Sequence, residues 1–340
     1  MEQARLIPPA ALEGLSFAPF APRAPWWGGD LQSLSNYLRP RARLHGYSAE
    51  RLILPLDDGS GDRLAATLNR PAPGAPPLPL VVLIHGLGGD ELSAYMRRSA
   101  VHFCAHGYPV LRLNLRGAGP SRPFCRLQYH GGRSDDFAMA LAALPEPLAS
   151  QGIVAIGFSL GGNMLLKFLG ERGAAARVRA AVSVSAPIDL AATSRHMQRR
   201  RNAPYQAYLM RDIRREAAAP AAVLSPEERR VLGRVRSIRE FDELFTAPHN
   251  GFAGADDYYA RNAAQNFLGT IAVPTLVIHA LDDPWVPSDP YRAVDWSGNP
   301  HLVPLLPKQG GHIGFQGSDP PTSWHDAAIA RFLVAALSRR

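Results

Sequence analysis

The chain has 340 residues, 46% hydrophobic and 19% charged, which excludes a disordered polyelectrolyte and is long enough for a sizeable core. Its formal net charge is +8, and it has only two cysteines, Cys104 and Cys125, so neither a disulfide scaffold nor a cysteine-based zinc site is expected. No stretch supplies the roughly 18 uninterrupted apolar residues of a membrane span, and Met1 to Gly14 has no signal-peptide core; the expectation is a soluble cytoplasmic protein with reduced thiols.

Residues 1–50 form an N-terminal arm, in which Trp26-Trp27-Gly28-Gly29 is followed by Leu31, Leu34 and Leu38, a spacing that predicts a short helix packed by its leucines. Arg51 to Leu56 and Arg63 to Arg70 predict a hairpin around Asp57-Asp58-Gly59-Ser60-Gly61. Short apolar runs follow at Leu80 to Ile84, Val110 to Leu115, Gly152 to Ile156, Val178 to Val184, Thr275 to His279 and His301 to Leu305, the pattern of buried parallel strands. Helical spacing over Leu92 to His106, Ser134 to Leu144, Leu160 to Glu171 and Ser323 to Leu337 completes a doubly wound, mostly parallel α/β sheet.

The alternation breaks once, between Ile188 and Gly269, where helical patterns occur without a convincing strand. Residues 51–187 and 270–340 are therefore read as two parts of one core, and 188–269 as a helical cap over the carboxyl ends of the strands, where open α/β sheets bind ligands. Between Arg195 and Arg239 the cap carries twelve arginines against four acids. No helix-turn-helix, zinc finger or RNA-binding signature accompanies that charge, so nucleic acid is not an expected partner. The charge is read first as a solvated helical face in an arginine-rich chain, with attraction of anionic substrates or peripheral contact with an anionic membrane as the alternative.

Gly157-Phe158-Ser159-Leu160-Gly161 lies directly between a strand and a helix, which is G-x-S-x-G in the context a nucleophile elbow requires. A serine hydroxyl needs a base, and the base an orienting carboxylate. The loop after the strand ending at His279 supplies Asp282 and Asp283, and the loop after the last strand supplies His312 in Gly310-Gly311-His312-Ile313-Gly314-Phe315. Asp283, directly before Pro284, is preferred over Asp282, which could instead hold the loop. The chain order Ser, Asp, His is that of α/β-hydrolases. An oxyanion hole is expected from the amides of Leu160 and of Leu87, the latter within His85-Gly86-Leu87-Gly88-Gly89.

No cofactor is implied, since the glycine-rich loop has neither Gly-Lys-Ser/Thr nor G-x-G-x-x-G. No metal is implied either: His102 and His106 stand four apart, but Phe103 occupies the glutamate position of H-E-x-x-H. Asn114-Leu115-Arg116-Gly117-Ala118-Gly119 reads as a structural turn beside the site without a chemical step.

Taken together, these motifs resemble the YheT-like branch of the α/β-hydrolases, predicted esterases related to mammalian phospholipid- and acylglycerol-hydrolysing members. The likeness rests on Trp26 to Leu34, H-G-L-G-G at 85–89, N-L-R-G-A-G at 114–119, G-F-S-L-G-G-N at 157–163, Ser185-Ala186-Pro187, Arg239-Glu240-Phe241-Asp242, Asp257-Tyr258-Tyr259, A-L-D-D-P at 280–284 and G-G-H-I-G-F at 310–315. It implies hydrolysis of small-molecule or lipid carboxylic esters with Ser159, Asp283 and His312 as the triad. Membrane-anchored relatives begin with a hydrophobic span that this sequence lacks. An acyltransferase using the same triad and a non-catalytic binding scaffold are the alternatives.

Overall fold

In the computed structural model, which describes residues 12, 14–218, 224–318 and 322–338, all eight predicted strands are present. They are β1 Ser48–Pro55, β2 Arg63–Arg70, β3 Leu80–Ile84, β4 Val110–Leu113, β5 Ile153–Phe158, β6 Ala180–Val184, β7 Thr275–Ile278 and β8 Leu302–Leu305. They form one sheet in the order β1-β2-β4-β3-β5-β6-β7-β8. The β1–β2 hairpin and the β2–β4 pairing are antiparallel, and every other pairing is parallel. Of the stretch Met1 to Gly14, residues 1–11 and 13 lie outside the described residues.

Alternation along each strand divides the core in two. Leu80, Val82 and Ile84 join the helices Ser134–Ala142 and Leu160–Arg172 on one face, whereas Val81 and Leu83 join Ala94–Ala105 and Trp324–Leu337 on the other. Both faces are covered, so β3 and β5 are buried at every position. β8 departs from the fully buried strand expected of it: Pro304 is exposed, because β8 pairs only with β7 and forms the sheet edge, where proline's missing N–H costs nothing. Between β6 and β7 the described residues form helices and turns, with no strand.

The arm helix Gly28–Leu38 forms, but the face it buries is not the leucine face. Leu31 and Leu38 are 41% and 66% exposed, while Gln32, Ser33 and Ser35 are buried. The backbone it packs against is the irregular loop around His312, whose amides and carbonyls need polar partners rather than leucines.

Arg116 explains the Asn114–Gly119 motif. It is fully buried and pairs with Asp58 at 2.6 Å, Asp62 at 2.9 Å and Asp136 at 2.7 Å, tying the β1–β2 turn to the segment after β4. Arg116→Met strands these carboxylates and is expected to destabilise the fold by about 3–5 kcal/mol in urea unfolding. Burial alone would raise the Asp58 carboxyl, but hydrogen bonds from Ser60 and the Arg116 charge hold it at about 2. Its contribution is complete above the ordinary value of 3.8 and fades as pH falls toward 2, so acid unfolding of wild type should be steeper than that of Asp58→Asn.

Candidate active site

Ser159 follows β5 and precedes the helix Leu160–Arg172, with φ 49° and ψ −122°. This left-handed conformation costs a serine about 1–3 kcal/mol and projects the hydroxyl above the sheet. Glycine permits the turn by its size: a Cβ at Gly157 would stand 2.5 Å from the Gly161 carbonyl oxygen, and one at Gly161 would stand 2.4 Å from that of His85.

Ser159, Asp283 and His312, which lie far apart in the sequence, meet at the carboxyl ends of β5, β7 and β8. Ser159 Oγ lies 3.0 Å from His312 Nε2, and His312 Nδ1 lies 2.8 Å from Asp283 Oδ2. With Nδ1–H donating to the carboxylate, the Nε2 lone pair faces the serine hydroxyl. Asp283 Oδ1 accepts the amides of Trp285 at 2.8 Å and Val286 at 3.0 Å. Burial would raise this carboxyl, yet the charge and hydrogen bond of His312, with the Val286 amide, hold it below its usual range. Asp282 turns elsewhere: its Oδ1 accepts the Gly311 amide at 2.9 Å and so fastens the histidine loop.

Several supporting groups escape a reading of the motifs. The Trp285 ring stacks on His312 with centroids 4.4 Å apart. His279 is buried against Tyr291, its Nδ1 4.0 Å from Asp283 Oδ2, and burial pushes its pKa down to about 4, so it is neutral beside the carboxylate. From the arm, Ser33 Oγ accepts the His312 amide at 2.8 Å and donates to the Gly29 carbonyl at 2.6 Å. Gln32 Oε1 accepts the Gln316 amide at 2.7 Å, and Asn36 Nδ2 donates to the Ile313 carbonyl at 3.1 Å. Their only sequence signal is a polar stripe on one side of the arm helix.

The His85–Gly89 loop crosses directly over the serine, for a Cβ at Gly86 would stand 2.9 Å from Ser159 Cβ. Its Gly86 amide donates to Tyr95 Oη at 3.0 Å and its Gly88 amide to Tyr129 Oη at 2.7 Å. The Leu87 amide between them, like that of Leu160, donates to no acceptor among the described residues. The His102 and His106 rings lie beside one another, tilted by 41° with centroids 4.3 Å apart.

Ser159 and His312 stand where two cavities meet. The larger, about 570 Å³, has a polar wall that includes Asn36, Tyr37, Asp90 and Glu216. The smaller, about 110 Å³, is lined by Leu160, Leu190, Met197, Ile213, Phe241 and Val286 among others. Of the twelve arginines between Arg195 and Arg239, only Arg215 borders the larger cavity. Much of their charge is met locally, by Asp30 for Arg201, Asp212 for Arg211 and Arg215, Glu227 for Arg230 and Asp256 for Arg239.

Residues 79–319 match the family model of the alpha/beta hydrolase fold. The chain is similar to YheT of Escherichia coli (strain K12), with 36% identity over 296 residues that cover 86% of this chain and 86% of that protein. It is also similar to the medium-chain fatty acid ethyl ester synthase/esterase 2 of Saccharomyces cerevisiae, at 31% identity over 76% of this chain and 62% of that protein. Among solved structures, the Pyrococcus furiosus esterase Pf2001 aligns over 94% of this chain and 97% of that one with a TM-score of 0.57 and 15% identity, a likeness of fold. The sheet order, the elbow and these matches lead to one conclusion: the chain belongs to the α/β-hydrolase family, in its YheT-like branch.

Proposed function

We propose that the protein hydrolyses carboxylic esters through an acyl-enzyme on Ser159. The observation that carries this reading is the hydrogen-bonded chain Ser159–His312–Asp283, set at the junction of an apolar cleft and a wider polar cavity. The esterase names of relatives that span most of this chain support it.

The acyl chain occupies the apolar cleft and the alcohol portion the polar cavity. His312 Nε2 takes the hydroxyl proton as Ser159 Oγ bonds to the carbonyl carbon, and the amides of Leu87 and Leu160 receive the charge on the carbonyl oxygen. The intermediate collapses as His312 returns the proton to the departing alkoxide. Water then adds to the acyl carbon with His312 again as base, and the acid leaves Ser159. Asp283 holds the imidazole and stabilises its protonated form.

A fluorophosphonate probe should label wild type at Ser159 by peptide mapping and leave Ser159→Ala unlabelled; wild type should also cleave short acyl esters. An unlabelled, inactive wild type would reverse the reading.

A second reading, acyl transfer to an alcohol, is favoured by the synthase/esterase name of the yeast relative and by a polar cavity able to seat an acceptor. Ester products in assays with added alcohol would establish it. For the cap, Arg199 and Arg200 are exposed, and their joint reversal to glutamate should weaken binding to anionic vesicles at low salt. Arg201 is left intact in that test because it pairs with Asp30.

A further inference from the structure

Arg122 lies in the turn of 3-10 helix Gly119–Phe124 and is 7% exposed. It lines the larger cavity with Ser159 and His312. Its Nε and Nη1 are buried without a hydrogen-bond partner, and no carboxylate among the described residues lies within ion-pair distance of its guanidinium. Arg116, in the same segment, is met by three carboxylates. The fold thus neutralises one buried arginine here and leaves its neighbour uncompensated. Room for that guanidinium is built in, since a Cβ at Gly117 would stand 2.8 Å from Arg122 Nη1.

The other charges on the cavity wall are Arg41, Asp90, Arg215, Asp212 and Glu216. Asp212 is taken by Arg211 at 3.2 Å and Arg215 at 3.4 Å. Burial holds the Glu216 carboxyl at about 8, so it carries little charge at neutral pH. Asp90 Oδ1 accepts the Leu92 amide at 2.8 Å. A buried cation without a partner is costly to keep, and departures of this kind concentrate at functional sites.

We propose that Arg122 is a specificity-determining residue that receives an anionic oxygen group, phosphate or carboxylate, on the alcohol side of the ester. This rests on the esterase reading and extends it to the substrate class. The planar fork of arginine suits either group.

The test compares hexanoyl glycerol with hexanoyl glycerol 3-phosphate and O-hexanoyl glycolate in wild type, Arg122→Met and Arg122→Lys. Wild type should prefer one or both anionic esters by about tenfold or more in kcat/KM, as expected for a charge-assisted bond in a water-poor site. The favoured ester identifies phosphate or carboxylate as the group taken. Arg122→Met should abolish the preference while leaving hexanoyl glycerol turnover unchanged, and Arg122→Lys should retain part of it. The preference should survive salt that screens the exposed cap arginines. Melting temperature should hold or rise in Arg122→Met, because an unpaired buried charge is removed. Equal losses on neutral and anionic esters, with a lower melting temperature, would make Arg122 structural and overturn the proposal. If wild type cleaves no ester, the esterase reading falls; glycerol 3-phosphate should still raise the melting temperature of wild type and not of Arg122→Met, and no such shift would overturn the anion site as well.

Discussion

Ser159→Ala and His312→Ala are each expected to lower kcat on any accepted ester by a factor on the order of 10⁵–10⁶, with folding intact by circular dichroism. The 3.0 Å contact between Oγ and Nε2 makes the two groups a single device, because neither activates or attacks without the other. The double variant should therefore be about as slow as either single one. Losses that multiply would mean that serine and histidine act separately, and the acyl-enzyme scheme would fail. Ser159→Gly should be equally inactive yet more stable than Ser159→Ala, because glycine tolerates φ 49° and alanine does not.

Asp283→Asn is expected to cost about 10⁴-fold in kcat. The amide can turn its NH₂ toward His312 Nδ1, and the imidazole then carries its proton on Nε2, where it faces Ser159 as a donor. The same change removes the negative charge that stabilises protonated His312, 2.8 Å away. Asp282→Asn keeps an oxygen acceptor for the Gly311 amide and should be much milder, with its effect on loop order rather than on the pH profile. A kinetic comparison of the two variants decides the assignment, and the opposite ranking would exchange their roles.

Much of this architecture was legible in one dimension. The apolar runs placed β3 to β7 because a strand covered by helices on both faces must be apolar throughout, a pattern that local sequence states directly, and the turn Asp57 to Gly61 placed the β1–β2 hairpin. The elbow was legible from its local motif: Gly157 is required by its close approach to Gly161 within the strand–turn–helix itself, whereas Gly161 is required by the His85 carbonyl of the neighbouring segment. Asp283 and His312 could be picked out because the loops that follow parallel strands share one edge of the sheet. The leucine spacing of the arm helix misled, and β8 looked like a core strand although it has a partner on one side only.

What the sequence by itself determined is the sheet, its helices and the chain order of serine, acid and histidine, all set by local periodicity and turn chemistry. Tertiary structure alone decided which face of the arm helix is buried, since Ser33 and Gln32 are there to satisfy amides at 312 and 316, 279 and 284 residues further on. It also decided that Arg116 is neutralised and Arg122 is not, and that a polar and an apolar cavity meet at Ser159. Burial of a polar group is governed by the partners that distant segments bring to it, and no local pattern records them.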